Sequence, residues 1–152
     1  MAQVLILIGS TSDEPVMKES LRYLEWFGIS CEMHVASAHR DPKKVVKLTE
    51  GAEAAGTKVM IAAAGMAAAL PGVVAAHTQL PVLGVPLEGG LQGGIDALYS
   101  IVQMPPGLPV GTLAVGKAGA RNAAVLAARI LGLTEPAIRV KLEMFKELGY
   151  KI

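Results

Sequence analysis

The sequence repeats one pattern: a short, uninterrupted apolar run, followed by a segment whose apolar residues recur at helical spacing. The first run is Val4–Ile8, which closes at Gly9. Downstream, Met17, Leu24 and Phe27 share one helical face, and the next residue is a glycine, which suits a helix end. Continuous apolar runs are typical of strands buried on both faces, so the pattern predicts parallel strands alternating with helices.

The same unit recurs along the chain. Further strands are predicted over residues 31–36, 58–64, 81–86 and 110–115, and helices over residues 42–55, 67–77, 95–102 and 120–131. A last helix is predicted over residues 135–148, with Thr134 as its cap. Right-handed crossovers between five such strands imply a three-layer α/β sandwich with a flavodoxin-like parallel sheet in the order 2-1-3-4-5. The length of 152 residues predicts one domain over residues 1–152.

Charge and composition exclude several classes of partner. The formal net charge is +1 and the basic residues are scattered, so no nucleic-acid partner is expected. Apolar stretches such as residues 59–70 are interrupted by glycine and too short for a transmembrane helix, so no membrane partner is expected either. The single Cys31 favours a reducing, cytoplasmic setting, and the low charge favours association between subunits.

Function should lie in the loops that follow the strands, because ligands of such folds gather at the carboxyl ends of the sheet. The first loop offers amides and hydroxyls at a helix N-terminus, where phosphate binds well. Its candidate ligand-binding residues are Ser10, Ser12 and Asp13, the last as an acceptor for ribose hydroxyls. An equally open interpretation is that Ser12 and Asp13 only cap the helix.

The second loop places His39 and Arg40 side by side, between a strand and a helix that begins at Pro42. A helix N-terminus disfavours the cationic form of an imidazole, so a neutral His39 would suit general-base chemistry. Arg40 would then hold a phosphate or a carboxylate. The alternative is a polar loop histidine beside a solvated charge.

The third loop, residues 65–72, has very small side chains, so its amides can approach a small planar anion closely. Tight packing of helix on sheet is the alternative explanation. The glycine-rich segment at residues 89–94 is predicted to be a mobile cover. His34 and His77 have no Cys, Asp or Glu at ligand spacing, so no metal site is predicted.

Five segments, taken in order, resemble the motifs of one family. They are the first loop, Ser37-Ala38-His39-Arg40 before Pro42, Leu70-Pro71-Gly72, and the segments at residues 81–86 and 100–105. It is the family of class I 5-(carboxyamino)imidazole ribonucleotide mutases, related to phosphoribosylaminoimidazole carboxylase. The resemblance extends from about residue 3 to residue 132. It implies an isomerase of purine biosynthesis that moves a carboxyl group from the exocyclic nitrogen to ring carbon 4, without a metal or an organic cofactor.

The resemblance also implies roles for individual residues. His39 matches the catalytic histidine, and Ser10, Asp13 and Arg40 match substrate-binding positions. The remaining pocket wall would be formed by Ser37, Gly65, Met66, Ala67, Ala69 and Leu70. The family resemblance further implies a homo-octamer whose pockets are shared between subunits.

One position departs from the family pattern. Class I members have histidine where this chain has Ala69. The class II relatives, which fix free carbon dioxide, have alanine there but lysine in place of Arg40. Class I is favoured by Arg40, Pro71 and the Gln103-Met104-Pro105 segment. The alternatives are a direct carboxylase and a non-catalytic nucleotide-binding relative.

Overall fold

The computed structural model describes residues 1–152 and contains one sheet of five parallel strands. The strand order is β2-β1-β3-β4-β5, which confirms the predicted flavodoxin-like topology. The strands are β1 (Val4–Ile8), β2 (Cys31–Val35), β3 (Val59–Ala64), β4 (Val82–Pro86) and β5 (Gly111–Thr112).

Six helices cover the two faces of the sheet and complete the three layers. They are α1 (Glu14–Phe27), α2 (Pro42–Ala52), α3 (Leu70–Ala76), α4 (Ile95–Val102), α5 (Lys117–Leu131) and α6 (Pro136–Glu147). No helix combines the length and the hydropathy needed to cross a bilayer.

Alternation along β1 divides the core into two parts, because successive side chains of a strand point to opposite faces. Ile6 and its neighbours at even positions pack in one apolar cluster with α1, α5 and α6. Leu5 and Leu7 belong to a second cluster with α2, α3 and α4. Every residue of β1 and β3 is buried, so these two interior strands contribute to both clusters.

Several predicted boundaries were wrong, and local backbone chemistry explains each. Helix α2 ends at Ala52 rather than at residue 55, because the chain turns there into Gly56 at φ 93°. Helix α3 starts at Leu70 rather than at residue 67, since Met66 adopts a left-handed backbone and residues 66–69 form tight turns. Strand β5 is an edge strand of two residues that follows a proline-rich segment.

The ends of the last two helices also differ from the prediction. Helix α5 begins three residues early, at Lys117, after Gly116 at φ 73°. Thr134 does not cap α6: its hydroxyl donates back to the carbonyl of Leu131, and the N-cap is Glu135, which makes no side-chain capping bond. The fixed φ of Pro136 at the first helical position favours the start of this helix instead.

The small residues of α5 allow it to pack very closely within the subunit. Ala120 is fully buried, and its carbonyl accepts a hydrogen bond of 2.6 Å from the Ser20 hydroxyl on α1. A Cβ built on Gly119 would lie 1.6 Å from the carbonyl oxygen of Ala114. The packing therefore requires glycine at this position, and it fixes α5 against the loop that precedes it.

Two glycine substitutions test this packing. Gly119→Ala should lower the free energy of unfolding by about 3 kcal/mol or more, because the clash involves backbone that cannot move away cheaply. Gly51→Ala is the matched control: it lies in α2 with open space around it, so it should raise that free energy by up to about 1 kcal/mol. Urea denaturation followed by circular dichroism measures both, and a neutral Gly119→Ala would contradict the packing.

Candidate functional site

A cavity of about 530 Å³ lies at the carboxyl ends of β1 to β4, and we call it the main cavity. It is formed by the loops after these four strands. Its lining residues are Gly9, Ser10, Ser12, Asp13, Ser37, Ala38, His39, Arg40, Ala64, Gly65, Met66, Ala67, Ala69, Leu70, Glu88 and Gly89. Every residue that the sequence assigned to a substrate site is among them. The structure thus brings all of them together, and their individual roles remain predictions.

The first loop is a short 3-10 turn at Thr11–Asp13 that is closed by reciprocal hydrogen bonds. The Ser10 hydroxyl accepts from the backbone N–H of Ser12 at 3.3 Å, and the Asp13 carboxylate accepts from the N–H of Ser10 at 3.0 Å. The predicted capping of the helix by Ser12 and Asp13 is therefore wrong: Asp13 and Ser10 cap this 3-10 turn, Asp13 makes no side-chain bond to α1, and the Ser12 hydroxyl donates to Ser10. The same residues line the cavity, so capping and ligand binding are compatible here.

Burial changes the acidity of Asp13. Loss of solvent raises the pKa of its carboxyl group above the usual value, while hydrogen bonds from the Ser10 and Gly9 amides lower it by a smaller amount. A hydroxyl donor from a ligand would replace some of the lost hydration. The site therefore favours a hydrogen-bond donor next to Asp13.

The second loop holds His39 and Arg40 on a compact turn at the start of α2. The Ser37 hydroxyl accepts from the N–H of Arg40 at 3.2 Å, and the Asp41 carboxylate caps α2 by accepting from Lys44. Both His39 and Arg40 are exposed, and neither side chain makes a hydrogen bond or an ion pair within the chain. Their polar atoms are thus available to a ligand in the cavity.

The third loop forms the floor of the cavity with nearly bare backbone. Met66 adopts φ 56°, a left-handed conformation that costs a non-glycine residue about 1–3 kcal/mol, and its side chain is 66% exposed. The amide N–H groups of Ala68 and Ala69 bond back to Met66 and Ala67 within tight turns. Ala69 offers only a methyl group to the cavity, so its side chain cannot transfer a proton.

Glu88 and Gly89 complete the cavity, and sequence reasoning did not assign them to it. They follow β4, where the carboxyl-end rule places ligand-binding loops, and Glu88 is the one charged residue of that loop. That combination was the available signal. The predicted cover at residues 89–94 contains a 3-10 turn at Leu91–Gly93, and its mobility remains a prediction.

The other histidines lie outside the cavity. His34 is 3.2 Å from the Glu32 carboxylate, and His77 is 3.2 Å from the Glu50 carboxylate. No group of three or more His, Cys, Asp or Glu side chains is placed to hold a metal ion.

Comparisons with known proteins give the family. The family model described as AIR carboxylase matches residues 3–150. The N5-carboxyaminoimidazole ribonucleotide mutase of Haemophilus influenzae is 49% identical over 96% of this chain and 89% of its own length. The mutase of Pyrococcus abyssi is 51% identical over 97% of this chain and 83% of its own length.

Solved structures agree with the sequence comparisons. A crystal structure of Treponema denticola PurE superimposes with a TM-score of 0.88 at 30% identity, covering 97% of this chain and 90% of that one. The shared architecture therefore includes the sheet, both helical layers and the strand ends at which the main cavity lies. By sequence and by structure, the chain belongs to the AIR carboxylase family.

Proposed function

We propose that the chain is an N5-carboxyaminoimidazole ribonucleotide mutase, an isomerase of purine biosynthesis, with its active site in the main cavity. The observation that carries this proposal is the identity of 49–51% to mutases over 96–97% of the chain. The cavity supports it, because His39 and Arg40 line the same space as the small residues of the third loop.

The reaction breaks the bond between the carboxyl carbon and the exocyclic nitrogen, and forms a bond from that carbon to ring carbon 4. The nitrogen takes up one proton, which balances the proton later lost from ring carbon 4, and carbon dioxide is held between the two steps. Ring carbon 4 attacks it, and His39 as general base then removes the hydrogen from this carbon. The sum is an isomerisation, so no ATP, metal or organic cofactor is part of the proposal.

Binding is divided among the loops. Arg40 and the hydroxyls of Ser10, Ser12 and Ser37 would hold the phosphoribosyl end, and Asp13 would accept from ribose hydroxyls. The third loop would retain carbon dioxide with an apolar wall and bind the carboxylate with backbone amides. Its contributing residues are Gly65, Met66, Ala67, Ala69 and Leu70.

A second activity, direct carboxylation of aminoimidazole ribonucleotide by free carbon dioxide, is favoured by one observation. Ala69 removes the imidazole that class I members place in this wall, as class II relatives do. The site then has His39 as its one imidazole. Arg40 and the identity to mutases favour the mutase reaction.

For the assembly we propose a homo-octamer in the cytoplasm. The support is apolar surface on the subunit: Tyr99 on α4 is 62% exposed and Val102 is 47% exposed, on a helix that leaves these side chains without partners. The lone Cys31 supports a reducing compartment, and burial raises the pKa of its thiol, which disfavours the reactive thiolate.

The role of His39 is tested by substitution. His39→Asn should preserve the fold and ribonucleotide binding while lowering turnover of the N-carboxy substrate by about 100-fold or more, as expected for a lost general base. His34→Asn is the matched control, because His34 lies outside the cavity and its substitution should leave turnover unchanged. Normal turnover of His39→Asn would remove this residue from the mechanism.

The role of Arg40 is tested by affinity. Arg40→Ala should weaken binding of the product ribonucleotide by about 1.5–3 kcal/mol, because a charge-assisted contact to the phosphate is lost. Arg139→Ala, on the exposed face of α6, is the control and should bind normally. Titration calorimetry gives both values, and an unchanged affinity for Arg40→Ala would show that the phosphate lies elsewhere.

The choice between mutase and carboxylase is tested by offering both substrates to one preparation. We expect rapid product formation from the N-carboxy substrate without added bicarbonate, and slow turnover of aminoimidazole ribonucleotide with bicarbonate. Labelled bicarbonate in the solvent should enter the product only slightly, because the apolar wall slows exchange of held carbon dioxide. Efficient carboxylation with extensive label would assign the chain to the direct carboxylases.

A further inference from the structure

A second cavity of about 390 Å³, which we call the side cavity, adjoins the main cavity. The two share three residues, Ser12, Asp13 and Glu88, which therefore stand at their boundary. Beyond this boundary the side cavity is lined by Gly116 and Lys117 at the start of α5. Asp13 and Glu88 thus both lie where a ligand in the main cavity could reach into the side cavity.

The carboxylate of Glu88 lies beside Gly116. A Cβ built on Gly116 would lie 3.0 Å from Glu88 Oε1, so the absence of a side chain there makes room for the carboxylate. Gly116 is also the N-cap of α5, a helix of 15 residues, whose positive dipole end favours a negative charge. The fold therefore leaves room for this carboxylate beside the start of α5.

Glu88 is nevertheless uncommitted within the chain. It takes part in none of the five ion pairs and in none of the side-chain hydrogen bonds. Asp13, in contrast, already accepts from the N–H of Ser10. A carboxylate offers several acceptor positions for hydrogen bonds. All those of Glu88 are available to a ligand, whereas Asp13 already uses one for the Ser10 amide.

The order of the strands separates Glu88 from the basic residues. The loop of His39 and Arg40 follows β2, and Glu88 follows β4, three strands away in the sheet. At a spacing of 4.7–4.9 Å per strand the loops start roughly 14 Å apart. Anionic groups of a ligand are attracted to the Arg40 end, whereas the Glu88 carboxylate can accept hydrogen bonds from neutral donors.

We propose that Glu88 is a specificity-determining residue, which together with Asp13 accepts hydrogen bonds from the two adjacent ribose hydroxyls of the substrate. Two carboxylates at one boundary match two neighbouring donors, and the side cavity gives the ribose edge room to approach them. The assignment rests on the proposed function, since it requires a ribonucleotide in the main cavity. It adds a residue to the site that discriminates ribose from deoxyribose.

Removal of one hydroxyl at a time tests this assignment. The probes are the product, 4-carboxy-5-aminoimidazole ribonucleotide, and its 2′-deoxy and 3′-deoxy forms, measured by titration calorimetry. The unsubstituted chain should bind the product at least about ten-fold more tightly than either deoxy form, because a hydroxyl bonded to a charged acceptor is lost. Glu88→Ala should abolish the preference for one hydroxyl and keep the preference for the other.

Two further variants make the result specific. Glu88→Gln should retain part of the preference, because an amide oxygen still accepts a hydrogen bond. Glu147→Ala, which removes the same side chain from α6 outside both cavities, should bind all three probes like the unsubstituted chain. Unchanged melting temperatures would show that each variant is folded.

The outcomes separate this assignment from the function on which it rests. Equal losses on all three probes, or no loss, in Glu88→Ala would overturn the assignment while product binding by the unsubstituted chain upholds the function. No binding of the product by the unsubstituted chain would overturn the proposed function and the assignment with it.

Discussion

Burial of β1 and β3 on both faces is the constraint on which the rest of the molecule depends. These two strands have no exposed residue, so helices must cover each side of the sheet. A polar group with a chemical role has no place along such strands, because it would be buried without a partner. Polar side chains that could bind a ligand are therefore confined to the loops at the strand ends. Because the strands are parallel, the loops after β1, β2, β3 and β4 meet at one edge of the sheet.

That edge derives its selectivity from the position of each loop in the sheet. The loop after β2 supplies cationic and basic groups, the loop after β4 supplies a carboxylate, and β1 and β3 lie between them. The loop after β3 carries mostly small side chains, whose methyl groups make part of the floor apolar. The strand order 2-1-3-4-5 thus places the basic residues at one end of the cavity, small apolar residues along its floor, and Glu88 at the other end.

Much of this arrangement could be predicted from the sequence, because the signals were local and repeated. Apolar runs such as Val4–Ile8 identified the strands, and the loop residues from Ser10 to Leu70 were correctly expected to share one space. The errors occurred at the ends of helices and strands, where the backbone conformation decides. Strand β5 is short and follows a proline-rich segment, and the left-handed backbone of Met66, which the composition does not reveal, delays the start of α3. Glu88 was not singled out, although it is the one charged residue of the loop after β4.

The reciprocal hydrogen bonds between Ser10 and Asp13 have a consequence for the thermodynamics of recognition. A flexible loop must lose conformational entropy when it closes on a ligand, at about 1–2 kcal/mol for each residue that becomes fixed. Here the turn is already closed by its own side chains before any ligand arrives. Because this loop is ordered when the chain folds, it loses little further conformational entropy on binding. Its contacts with a ligand can therefore contribute to affinity almost in full.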